Sequence, residues 1–377
     1  MHDKNSHITT QNSVRNYGID ALRILSMLMV VALHILSDGG ILETAKSVNY
    51  WIVWYLETAC FCAVNCFALI SGYVGVYSKW KISNLAYLWC TVVFYTIIIT
   101  AVYKGLFWDS VAKRDILAAF MPIISKRYWY FTSYALLFLF IPILNTALER
   151  VPKKQMGAIL IAIITATSVI QPIFDIVWKN TFALKYGYSA LWLIIVYLIG
   201  GYVRKYGLFH KIKTHRTGIF LTLYFAVVSL TWLSKFAIQH LPTNILIGLK
   251  SDNFLITYTS VAIVAAALFL LLAFENMKIG SVAGKIIAFL SPLAFSVYLI
   301  HTNPFILDNC ITDRFKRLSA LPAYKMLLLV ICIVLAVFLL CLAIDLIRHY
   351  LFKLIKLKER LYKAEIKFKE KLAAKTQ

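Results

Sequence analysis

Ten stretches of this chain are each apolar over roughly the 20 residues that a helix needs to cross the hydrocarbon of a bilayer. They run Ile19 to Leu36, Tyr50 to Val76, Ile82 to Val102, Tyr130 to Leu148, Gly157 to Ile176, Tyr188 to Val203, Gly218 to Ile238, Phe254 to Phe274, Ala288 to Phe305 and Met326 to Phe352. In hydrocarbon each backbone N–H and C=O must find its partner inside the protein, so such stretches read as helices. The expected fold is an all-α polytopic membrane protein of about ten transmembrane helices without a separate soluble domain. It divides into a cytoplasmic amino-terminal segment (1–18), a membrane domain (19–352) and a basic amphipathic cytoplasmic tail (353–377). The fifth stretch is interrupted by Gln171 and Pro172, and the sixth is short. Composition agrees: 61% of residues are hydrophobic, well above the 45–50% of soluble domains.

The net charge is +22, but the positives are spread over loops and a tail that flank membrane helices. Anionic membrane lipids therefore fit as partners, and nucleic acid does not. Lys and Arg are richer on the side of the two termini, which places both termini in the cytoplasm of a plasma-membrane protein; the segment Lys104 to Arg127 fits this orientation poorly. In the tail, Leu351, Leu354, Ile355, Leu361, Tyr362, Ile366 and Phe368 alternate with Lys and Arg, the pattern of a helix lying on the inner leaflet; a solvated charged tail is the alternative. Mostly polar residues precede the first helix and no small-residue cleavage site follows, so the first helix is expected to remain as an anchor. Six of the seven cysteines lie within apolar stretches, and neither a disulfide framework nor a metal site is expected.

The first helix carries Arg23 near its start and His34 near its end. Eleven residues at about 100° and about 1.5 Å each make three turns plus about 20°, so the two share one stripe about 16 Å apart. Asp20, three residues before Arg23, joins that face and can pair with it. Ionisable groups inside a membrane usually face a protein interior or a wet cavity, so the stripe points to function. Glu57 of the second stretch and His301 of the ninth fall at a depth similar to His34. An imidazole oriented by a carboxylate is a plausible general base for a hydroxyl, and Tyr298, three residues before His301, can donate to an oxyanion. Each has a structural alternative: His301 and Glu57 as interhelical pairs, Arg23 as an arginine snorkelling to headgroups.

The run Gly18-Ile19-Asp20-Ala21-Leu22-Arg23-Ile24 with Val31-Ala32-Leu33-His34 resembles the opening signature of the acyltransferase 3 family of integral membrane O-acyltransferases. Three later blocks agree in order: Val64-Asn65-Cys66-Phe67-Ala68-Leu69-Ile70-Ser71-Gly72-Tyr73, then Tyr128-Trp129-Tyr130-Phe131 with Tyr134 and Ile141-Pro142-Ile143-Leu144-Asn145, and the closing Leu290-Ser291-Pro292-Leu293-Ala294-Phe295-Ser296-Val297-Tyr298-Leu299-Ile300-His301. The resemblance implies transfer of an acyl group, commonly acetyl, from acyl-coenzyme A to a hydroxyl of a cell-surface polysaccharide or its lipid-linked precursor. Acyl-CoA is then a donor substrate, and no tightly bound cofactor is implied. By this carry-over Arg23 and His34 are the best functional candidates, with His301 next; together with Glu57 they are the candidate catalytic residues, and Asp20, Asn65 and Tyr298 are candidates for binding substrate. One departure is that Lys79 and Lys81 stand where many members carry arginines; they keep the charge but lose bidentate phosphate recognition. The competing reading is a secondary transporter with Asp20, Arg23, Glu57 and His34 as a relay, against which stands the lack of repeated halves. Direct transfer and an acyl-histidine intermediate both fit the sequence.

Overall fold

The apolar stretches are helices, and no strand occurs among the described residues. A computed structural model describes residues 15–106, 111–125, 127–174, 182–207, 215–240 and 255–376; most of the amino-terminal segment 1–18 lies outside them. Helix α1 (Tyr17–Leu36) is followed by α2 (Ser47–Cys60) and α3 (Ala63–Gly75), which together make one broken span, then α4 (Ile82–Leu106), α5 (Trp129–Arg150) and α6 (Lys153–Ile164). Two shorter helices, α7 (Ala190–Tyr206) and α9 (Val261–Glu275), flank α8 (Arg216–Gln239). The ninth stretch is α10 (Ser281–Leu290) and α11 (Ala294–His301), and α12 (Ala323–Leu354) leads into the tail helix α13 (Leu357–Thr376). Among the described residues eight spans are long and apolar enough to cross a membrane; with α7 and α9 they come near the expected set of about ten. This is a multi-pass membrane protein.

Three expected boundaries differ. Gln171 and Pro172 do not stop the fifth span: α6 widens into a π-helical turn (Thr165–Ile170) and continues as a further helical turn, Gln171–Phe174. The eighth stretch is not helical from its expected start; residues 255–260 are irregular and helix begins at Val261. Irregular backbone survives at such a place only when the protein satisfies it, and the Asn65 side-chain amide donates to the Tyr258 carbonyl at 2.8 Å. The ninth span begins earlier, at Ser281, and is broken by a 3₁₀ turn at Ser291–Leu293.

Two prolines within spans shape the site at a distance. A proline lacks the N–H that would bond the carbonyl four residues earlier. Pro142 in α5 thus frees the Phe138 carbonyl, which accepts from the Trp80 indole N–H at 2.9 Å. Pro292 likewise frees the Ala288 carbonyl, which accepts from Arg15 Nη2 at 2.9 Å. The first contact fixes the α3–α4 loop, and the second ties the chain entering α1 to the end of α10.

Helices α3 and α7 cross at backbone contact. A Cβ on Gly72 would overlap the Tyr197 carbonyl, and one on Gly200 would overlap the Leu69 carbonyl. Small residues at a crossing let apolar helices gain van der Waals contact that lipid cannot outcompete. Gly200→Val is therefore expected to destabilise the folded protein by at least the about 1–3 kcal/mol typical of overpacking, read as a lower thermal midpoint in detergent; an unchanged midpoint would mean that this crossing is not tight.

The tail is a docked helix. A turn with Lys356 at φ 51° separates it from α12, and Glu365 Oε2 accepts from the Ser83 N–H in the first turn of α4 at 3.0 Å while Oε1 accepts from Lys369 at 2.6 Å. Burial alone would raise the Glu365 carboxyl, but the hydrogen bonds from Lys369 and Ser83 outweigh it and pull it down to about 2. A carboxyl whose folded value lies below its ordinary one stabilises above about pH 4.3, and that contribution fades as the pH falls toward the folded value. Hydrogen exchange in residues 357–376 should therefore be constant from pH 8 to 5 after correction for intrinsic rates. It should rise below that, and Glu365→Gln should show the raised exchange already at pH 7.

Candidate active site

Asn16 starts α1: its side-chain oxygen accepts from the N–H groups of Gly18 and Ile19 at 2.9 and 3.2 Å. The orphan amides of a helix start are satisfied in this way. One turn further in, Asp20 is buried and fully engaged. Oδ2 accepts from Arg15 Nε at 2.5 Å, and Oδ1 accepts from Arg23 Nη1 at 2.9 Å and from the Ser291 hydroxyl at 3.0 Å. Ser291 Oγ in turn accepts from Arg23 Nη1 at 2.8 Å, closing a triangle. The break at Ser291-Pro292 therefore positions the arginine: the 3₁₀ turn brings a hydroxyl beside α1.

With Nη1 held in this way, Arg23 borders a cavity of about 200 Å³ between α3, α4 and α5. Lys79 and Lys81 share its wall, with Ser71, Ser78, Asn84 and Trp80, and among the described residues no carboxylate is part of the lining. Three cations and several hydroxyl and amide groups make this a cleft for an anion with more than one oxygen.

At the other end of α1 lies a second cavity of about 340 Å³ bordered by His34, Glu57, Asp38, Ser37 and Tyr298. Its remaining wall is largely aromatic. Trp129 lies 4.5 Å from Tyr188, Tyr188 lies 5.0 Å from Tyr258, and Tyr258 lies 4.8 Å from Phe61, centroid to centroid. Between the two cavities stand Tyr130, which borders the larger, and Tyr134, which borders the smaller; the two rings stack at 6.2 Å.

His34 is oriented by a backbone carbonyl and by a second histidine. Its Nδ1 lies 2.8 Å from the Val30 carbonyl, which can only accept, so the proton sits on Nδ1. By the same argument His301 carries its proton on Nδ1, 2.6 Å from the Val297 carbonyl. The bare His301 Nε2 then lies 3.3 Å from His34 Nδ1 as a second acceptor for that N–H. What remains is the lone pair on His34 Nε2, the atom a general base requires. The two rings meet edge to face at 5.0 Å. Their approach is fixed from outside the helices, because Asp313 and Phe315 donate their N–H groups to the carbonyls of Asp38 and Gly39 at 2.9 and 3.0 Å. This pairing ties the end of α1 to the segment that follows α11.

The seven sequence-derived candidates are placed differently. Arg23 borders the smaller cavity, and His34, Glu57 and Tyr298 border the larger. His301 borders neither and touches His34 instead. Glu57 does not orient His34, as the carboxylate expectation had it. Its Oε2 is enclosed without a hydrogen-bond partner among the described residues. Asp20 borders neither cavity and has both oxygens occupied, which makes it the holder of Arg23. Asn65 is fully buried, its amide donating to Tyr258 O and its oxygen accepting from Trp192 Nε1 at 2.9 Å; it braces the aromatic wall from behind. Sequence reasoning did not single out Arg15, Asp38, Tyr188 or Tyr258: the first two lie outside the apolar stretches, and the two tyrosines lie in stretches read as helix, where an aromatic ring is an ordinary packing residue. The role of Ser291 could have been suspected from its place before a proline inside an apolar span.

The family model described as "Acyltransferase domain" matches residues 16–346. The chain belongs to the acyltransferase 3 family. None of the curated proteins and none of the solved structures compared with it matches. The matched region covers both cavities and every residue that borders them, and it ends within α12, so the tail helix of this acyltransferase lies beyond it.

Proposed function

We propose that this membrane acyltransferase moves an acyl group, acetyl by family resemblance, from acyl-coenzyme A to a hydroxyl of a cell-surface carbohydrate or its lipid-linked precursor. The observation that carries the reading is that one helix places a guanidinium on a basic cleft and a proton-accepting imidazole on a separate aromatic cavity. The anionic part of the donor is assigned to the cleft of Arg23, Lys79 and Lys81. The acceptor is assigned to the larger cavity, where aromatic faces suit the C–H faces of a sugar ring and the carboxyls of Asp38 and Glu57 can accept from hydroxyls.

In this mechanism His34 Nε2 takes the acceptor's hydroxyl proton while that oxygen attacks the thioester carbonyl. The Tyr298 hydroxyl donates to the oxyanion that forms. Collapse of the tetrahedral intermediate breaks the C–S bond, and the departing thiolate takes the proton from His34, so the histidine ends as it began. The end of α1 bearing Arg23 faces the cytoplasm, where acyl-CoA is made, and the termini lie on that side.

The test is to give purified protein acetyl-labelled coenzyme A together with a carbohydrate-containing envelope fraction. Label should enter the carbohydrate as an ester removed by mild alkali. Label that stays in the thioester, or that enters alkali-resistant amide, would overturn the reading. The orientation predicts that, with Cys310 changed to Ser, an impermeant thiol reagent added to intact cells labels a cysteine placed at Arg314 and not one placed at Lys358; the reverse pattern would invert it.

A further inference from the structure

The donor cleft has a wall held from outside the span it belongs to. Lys81, in the loop between α3 and α4, borders the cleft beside Arg23, and its ammonium sits 4.2 Å from the ring centroid of Tyr362 in the tail helix. One turn along the tail, Glu365 caps the start of α4 at Ser83, two residues after Lys81. On its other side the same loop is pinned by Trp80 to the carbonyl freed by Pro142.

The choice of partner has a chemical consequence. A carboxylate beside Lys81 would compete with an anionic ligand for the ammonium, whereas an aromatic face attracts the cation through its quadrupole and leaves the net charge in place. Glu365 is close enough in sequence to serve as that competitor, but its two oxygens are committed to the Ser83 N–H and to Lys369. Lys81 is therefore steered toward the cleft with its charge still available to a ligand. Lys79, the other lysine of the cleft, is exposed in the same loop.

We propose that the tail helix is part of the donor site: Tyr362, with Glu365 anchoring the helix, is a positioning residue that holds Lys81 in place for the anionic part of acyl-coenzyme A. This rests on assigning the donor to the Arg23 cleft. It gives the tail a role in donor affinity in addition to any contact of its basic face with lipid, and it ties a segment beyond the family match to the reaction.

The experiment measures apparent KM for acetyl-CoA, KM for the acceptor and kcat in the full-length protein. Tyr362→Leu removes the ring, and Tyr362→Phe keeps the ring while removing a hydroxyl that the interaction does not use. Tyr362→Leu is expected to raise the donor KM by about threefold to tenfold, with kcat and acceptor KM within about twofold, while Tyr362→Phe behaves as wild type. Lys81→Ala should raise the donor KM as much or more, and adding Tyr362→Leu to Lys81→Ala should change it no further, as for two residues acting through one contact. A wild-type donor KM in Tyr362→Leu beside a raised one in Lys81→Ala would overturn the proposal, as would equal defects in the Leu and Phe variants. Wild-type donor KM in both Lys81→Ala and Arg23→Lys would instead remove the cleft assignment itself.

Discussion

Replacing His34 with alanine is expected to lower acyl transfer by about 10²–10⁴, the range that a positioned general base supplies, with membrane insertion and thermal midpoint close to wild type. The stability expectation follows from geometry. The Nδ1–H bond of His34 goes to Val30, one turn back in its own helix, and among the described residues its other contact through that atom is His301. Its loss therefore removes one side-chain contact with α11, while the backbone pairing of Asp313 and Phe315 with Asp38 and Gly39 still ties the two segments together. Restoring the backbone contact does not restore the base, so His34→Asn should be nearly as inactive as alanine. His301→Ala should cost less, about tenfold, because it removes an acceptor that orients His34 and leaves the reacting nitrogen in place. His301→Gln, whose side-chain oxygen can accept the same N–H, should recover part of that loss. Substantial transfer by His34→Ala at matched expression would show that another group takes the proton. An inactive His301→Ala with normal His34→Ala would exchange the two roles.

Changing Arg23 to lysine is expected to raise the apparent KM for acyl-CoA by about tenfold to a hundredfold, the range for losing hydrogen bonds to a charged group, and to leave the acceptor KM largely unchanged. In the wild-type protein Nη1 is held by Asp20 and Ser291. Nε and Nη2 make no protein hydrogen bond among the described residues, and the side chain borders the basic cleft. A guanidinium fixed at one nitrogen can still present two parallel N–H groups to phosphate, which an ammonium cannot do. Lysine at 23 can pair with Asp20, so the fold should persist while recognition fails. Ser291→Ala should give a smaller rise through the same parameter, since it removes one of the two groups holding Nη1. Unchanged donor kinetics in Arg23→Lys would mean that the arginine is structural and that the donor binds elsewhere.

Periodicity made the stripe of Asp20, Arg23 and His34 legible, because eleven residues bring an α-helix back to nearly the same face whatever surrounds it. The same arithmetic could not say what each residue meets. The partner of His34 was expected to be a carboxylate, and Glu57 does border the same cavity. Yet the orienting groups are the carbonyl of Val30 and an imidazole 267 residues away. Asn65 is a sequence candidate for binding substrate, but both ends of its amide are taken by Trp192 and the Tyr258 carbonyl. A buried polar side chain can serve a substrate or an irregular backbone equally well, and only the neighbouring chain decides which.

By itself the sequence determined that the chain is a helical membrane protein, roughly where its spans lie, which family it resembles, and that one face of the first helix carries charge. These depend on hydropathy over about 20 residues and on local helical repeat, which act within a segment. Only the tertiary structure decided that Arg23 and His34 open onto two separate cavities, that His301 stands behind His34, that Ser291 reaches Arg23 beside a proline break, and that Tyr362 of the tail lies against Lys81. Each of these brings together groups far apart in the chain, through carbonyls freed by Pro142 and Pro292, glycine crossings and a backbone pairing between loops. Such contacts depend on where helices are laid beside one another, which a single segment's composition does not encode.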